Sequence, residues 1–98
     1  MTVAITMEFQ GGTLKQYDDV IAKMGLVSGG PGAPGGISHW AAETEAGILI
    51  TDLWQSREQY DKFAKEQIGP LSQEAGIPSA PKVTYYDVHS YFTPGPDT

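Results

Sequence analysis

The chain has 98 residues, enough for one domain with a small core. It contains no cysteine, which excludes disulfides, a thiolate nucleophile and a zinc–thiolate site. Six Lys and Arg against 12 Asp and Glu give a net charge of −6, which leaves no basic surface for nucleic acid, a polyanionic substrate or an anionic membrane.

The opening "MTVAITMEFQGG" has no basic segment and no apolar run, so it is not read as a signal peptide, and a cytoplasmic protein is expected. Strict alternation in "TVAITMEFQ" predicts a half-buried strand, with Val3, Ile5, Met7 and Phe9 on one face and Gly11-Gly12 at its end. Thr13 and Gln16 have capping-box spacing and start a helix. Its apolar stripe is Leu14, Tyr17, Ile21 and Met24, and Gly25 is its stop. Asp18 and Asp19 are expected in its early turns.

"GGPGAPGG" follows. A phosphate loop aims consecutive backbone N–H groups at its anion and leads into a helix. Here two prolines remove N–H groups, no Gly-Lys-Ser/Thr ending is present, and the loop leads into a strand. It is read as a mobile connector able to act as a lid.

"GISHWAAET" and "GILITDLWQ" form a hairpin across "TEAG". Two registers are open. If Glu43 pairs with Ile48, His39 lies opposite Asp52 and beside Trp54. If the loop is "EAG", His39 turns to the other face and Trp40 replaces it. The first is favoured, because it gives Asp52 an imidazole partner among Ile48, Ile50 and Trp54.

Ser56 and Gln59 repeat the capping-box spacing and start a second helix, buried through Tyr60, Phe63 and Ala64. Gly69-Pro70 is expected to break it before a short second piece carrying Leu71. "PKVTYYDVHSYF" is the last predicted strand. It carries His89 on one face with Tyr85, Asp87 and Tyr91. Residues 1–92 thus make the domain, and 93–98 a flexible tail.

The order strand, helix, strand, strand, helix, strand predicts an α+β, ferredoxin-like βαββαβ fold with one antiparallel four-stranded sheet and both helices on one face. The bare face and the aromatics of the last strand predict a homodimer packed sheet to sheet.

In length, element order and the stretch "DLWQSREQYDKF", with Trp54, Ser56, Tyr60 and Phe63 in matching places, the chain resembles the dimeric α+β barrel superfamily, which includes the antibiotic-biosynthesis monooxygenase-like proteins. The resemblance implies a dimeric α+β barrel with a pocket between sheet and helices. It implies activities ranging from cofactor-independent oxygenase through haem degradation to polyketide cyclisation. Haem-degrading members carry a histidine in the second helical region, and none stands between Arg57 and Ala75, so haem is not expected. Quinone-forming oxygenases resemble the chain at Trp54 but use an asparagine in the pocket, and this chain has none.

The expected site places Trp54, Tyr17, Tyr60, Phe63, Ile5, Met7, Ile50 and Tyr85 around a small apolar or aromatic ligand. His39, Asp52 and His89 are the candidate catalytic groups. A carboxylate orients an imidazole and makes it a usable base near neutral pH. No metal or cofactor is expected, since nothing in the spacing of the two histidines and Asp52 specifies a triad. The expectation is a monooxygenase-like, cofactor-independent enzyme with His39 as base. The alternatives are a polyketide cyclase or isomerase, and a non-catalytic homodimeric binder.

Overall fold

The computed structural model describes residues 1–93, and most of the expected tail lies outside the described residues. The elements are β1 (Val3–Gln10), α1 (Leu14–Met24), β2 (Gly36–Glu43), β3 (Gly47–Trp54), α2 (Arg57–Phe63), a π-helical turn (Ala64–Ile68), α3 (Gly69–Glu74) and β4 (Lys82–Asp87). The sheet order is β2-β3-β1-β4, antiparallel throughout. This is the ferredoxin-like arrangement. Among the described residues no helix is long and apolar enough to cross a membrane.

β1 buries every second residue, and Val3, Ile5, Met7 and Phe9 are all 3 % exposed or less. Ile48, Ile50 and Trp54 of β3 join them beneath Tyr60 of α2, and these side chains form the core. Burying them is the main favourable term in holding the helices on the sheet.

α1 has the predicted cap. The Thr13 hydroxyl accepts from the Gln16 N–H at 3.1 Å, and the Gln16 side chain accepts from the Thr13 N–H at 3.0 Å. Gly25 closes the helix in the left-handed conformation at φ 78°. The fully buried residue of the helix is Val20, while Leu14 is 42 % exposed and Tyr17, Ile21 and Met24 are half-buried. The helix is therefore rotated from the predicted stripe. Its first turn holds no acid, because Asp18 and Asp19 start one turn later.

In α2 only half of the predicted box forms. Ser56 accepts from the Gln59 N–H at 3.2 Å, while its hydroxyl donates to the Gln59 side-chain oxygen. Gly69-Pro70 does not break the helix. Pro70 lacks an N–H and cannot complete the α-helical ladder. The Gly69 N–H reaches back to the Ala64 carbonyl, and the chain winds through a π turn into α3. Lys23–Glu74 at 2.8 Å and the Gln16 amide on the Gly76 carbonyl at 3.0 Å tie α1 to this run.

β4 is shorter than predicted and ends at Asp87. Its partner β1 starts at Val3, opposite Asp87, and one further bond joins the Val88 N–H to the Thr2 carbonyl. With no partner left, His89, Tyr91 and Phe92 lie beyond the ladder and exposed.

Candidate functional site

The β2–β3 hairpin sets the site. Thr44 and Gly47 bond to each other through both backbone pairs, which closes the turn and puts Glu43 opposite Ile48 and His39 opposite Asp52. The register shifts once, at Ile37, where one extra residue bulges before Gly36 pairs with Trp54. The bulge lies past His39 and leaves its facing unchanged.

Asp52 is the centre of the arrangement. Its side chain is 6 % exposed, yet both oxygens are engaged: Oδ1 accepts from His39 Nδ1 at 2.5 Å, and Oδ2 accepts from Trp54 Nε1 at 3.0 Å. A buried carboxylate needs such partners. An indole N–H can only donate, so it fixes which way the carboxylate points. In the neutral imidazole with Nδ1 donating, the lone pair is on Nε2. The Tyr17 hydroxyl lies 2.5 Å from Nε2, placed to donate to it in that tautomer. The two ring planes are nearly parallel, at 7° with centroids 5.9 Å apart. Burial, aided by the Asp52 and Asp18 carboxylates, pushes the Tyr17 phenol above its ordinary value, and the hydroxyl keeps its proton at neutral pH.

These groups edge a cleft of about 760 Å³ between α1, the glycine-rich loop and the β2–β3 side of the sheet. That volume suits a small organic ligand. Tyr17, His39, Asp52, Met7, Ile50, Trp54 and Phe63 all border it. Phe63 tilts against Trp54 with centroids 5.2 Å apart.

Four expected residues are elsewhere. Ile5 is sealed in the core at 0 % exposure. Tyr60 packs edge-on against Trp54 at 5.8 Å and is buried in the core, not among the residues that line the cleft. Burial first, then Tyr85, Asp52 and Asp61, raises its phenol strongly. Tyr85 stands at the opposite edge of the sheet, with Arg57 3.7 Å over its ring and its hydroxyl on Asp61 at 2.9 Å. His89 lies beyond β4, away from the cleft residues, because the strand that would have carried it inward has ended.

The glycine-rich loop forms one wall, through Gly29, Gly30, Pro31 and Gly32. Val20 of α1 and the buried Ser72 of α3 also line it. Sequence reasoning did not anticipate either, nor the Tyr17–His39 contact. The helix stripe marked Tyr17 as inward-facing, but no local pattern specifies which strand residue a helix side chain meets. Among the described residues no three His, Asp or Glu side chains converge to hold a metal.

No family model and no curated protein matches the chain. Solved structures do match it. A Streptomyces coelicolor monooxygenase from the gene ActVA-Orf6, in complex with nanaomycin D, is 21 % identical over 96 % of this chain and 92 % of its own, with a TM-score of 0.57. A Chloroflexus aurantiacus protein assigned to the antibiotic biosynthesis monooxygenases is 23 % identical over 97 % and 100 %, with a TM-score of 0.60. SnoaB, a cofactor-independent oxygenase from Streptomyces nogalater, is 12 % identical over 92 % and 94 %, with a TM-score of 0.55. The chain shares the ferredoxin-like α+β fold of these antibiotic biosynthesis monooxygenase structures along nearly its whole length.

Proposed function

We propose that the chain is a small, cofactor-independent, monooxygenase-like enzyme that takes an aromatic or polyketide-like molecule into the cleft, where His39 holds the proton removed from it. The observation that carries this reading is Asp52, a buried carboxylate held by Trp54 and bonded to the imidazole at the edge of an apolar cleft. Such a carboxylate stabilises the imidazolium that forms when the base is used. The monooxygenase and the cofactor-independent oxygenase that share the fold support the reaction class.

The chemistry asks little more of the protein. A phenol that loses its proton becomes electron-rich enough to reduce dioxygen itself. When a ring methylene is oxidised to a carbonyl, one oxygen atom enters the product and the other leaves as water, which takes up the two methylene hydrogens. The protein supplies the base and the orientation. The same reading takes the protein as a homodimer joined through the outer face of the sheet.

An oxygen electrode with a panel of hydroxylated anthrones tests the reading. The expected result is one dioxygen consumed per carbonyl formed, with His39→Ala slower by about 10²-fold or more. Binding of the panel without oxygen uptake would overturn it in favour of a non-catalytic binder.

A further inference from the structure

The outer nitrogen of His39 is not free. In the tautomer with Nδ1 donating to Asp52, its lone pair is taken by the Tyr17 hydroxyl, 2.5 Å away. A substrate that gave its proton directly to Nε2 would first have to displace this phenol. Tyr17 comes from α1, on the other side of the cleft mouth from β2, and it lines the cleft. A tyrosine hydroxyl donates one hydrogen bond and keeps lone pairs to accept another.

Resting on the proposed function, we propose that Tyr17 is a catalytic residue that touches the substrate and relays its proton to His39. The acidic proton of a substrate hydroxyl passes to Tyr17 Oη as the proton already on Oη passes to His39 Nε2. One O–H bond breaks and one forms at Tyr17, an N–H bond forms at Nε2, and the substrate is left as an oxyanion. Tyr17 is neutral before and after. The single positive charge made is the imidazolium, which stands against the Asp52 carboxylate. The arrangement selects substrates with a hydroxyl that can approach Oη from the cleft, and it keeps Nε2 engaged by the phenol until the proton moves.

Two measurements test this. The first needs no ligand. Ring-nitrogen NMR of the full chain should show His39 with its proton on Nδ1 and Nε2 as acceptor. In Tyr17→Phe the tautomer should persist while the Nε2 resonance moves toward that of an unbonded nitrogen. A proton on Nε2 in the wild type overturns the relay. The second uses 4-nitrophenol, whose phenolate absorbs visible light. Below the pH at which the free probe ionises, the wild type should raise the phenolate band above its level in buffer. Tyr17→Phe and His39→Ala should both abolish that increment. On an oxidised substrate, Tyr17→Phe should lower kcat about 10²-fold with little change in KM. If Tyr17→Phe keeps the increment and His39→Ala loses it, the relay is wrong and His39 as base survives. A wild-type protein that leaves the band as in buffer overturns both.

Discussion

At Gly47 the backbone φ is 154°, and a Cβ there would lie 2.1 Å from the Phe9 carbonyl oxygen of β1. No side chain fits, and the residue opens β3 at the hairpin turn. Gly47 therefore ties the hairpin register to the sheet, and the register decides which face His39 occupies. A shift of one residue would put Trp40 beside Asp52 and leave the carboxylate buried with no imidazole. Gly47→Ala is expected to cost at least about 2 kcal/mol, from backbone strain and the clash with β1. Urea denaturation should show it as a lower midpoint at an unchanged slope. The residue pair at the site was legible in advance for the same reason. Asp52 and Trp54 are two apart on a strand and must share a face, and pairing Asp52 with an imidazole favoured one of two registers. Tyr17 was legible only as inward-facing. Its contact with His39 joins residues 22 apart in sequence through the docking of a helix on a sheet.

Among the elements, α1 matters most to the site, because it carries Tyr17. Its ends are defined by local chemistry, the Thr13–Gln16 box and the Gly25 stop, and so both could be read from the sequence. Its rotation about its own axis could not. The predicted stripe and the observed Val20 side differ by about one residue step, which only packing against the sheet resolves. The π turn was also beyond local pattern. Gly69-Pro70 reads as a stop, but the helix continues through the turn, with Phe63 before it and Ile68 at its end packed against the core. β4 was overextended because its alternation runs past the point where β1 can pair with it. Thr13→Ala removes the side chain that caps the Gln16 N–H, so about 1 kcal/mol of stability should be lost. If α1 holds Tyr17 in place, amide exchange in its first turn should rise as well, and the Tyr17–His39 resonances should broaden.

On the scale of the whole molecule, one sheet face is covered by helices, and among the described residues the other is bare. Ala4, Leu49, Thr51 and Leu53 are half-buried there beside Trp40 and Tyr86, which are 50 % and 56 % exposed. Leu49, Leu53, Trp40 and Tyr86 on such a face, set around the row Thr51, Thr6 and Thr84, favour association of a 98-residue chain. Light scattering is expected to give twice the 10.5 kDa chain mass at micromolar concentration. Trp40→Lys should reduce this to the single chain while leaving the His39–Asp52 bond intact, because adjacent strand residues face opposite ways. A wild-type protein that stays at the single-chain mass would show that the bare face is tolerated in water.

The chain has two tryptophans, one on each side of the sheet, and this gives it two separate fluorophores. Trp54 is buried with its N–H on Asp52, so its emission should be blue-shifted and should respond to whatever enters the cleft or changes the charge on that carboxylate. Trp40 is half-exposed on the edge strand β2, where it also borders the cleft, so its emission should be red-shifted and open to a dissolved quencher until a second chain or a ligand covers it. The surroundings of the buried carboxylate and the cover over the β2 edge would then be read from one sample, at two wavelengths, without a label.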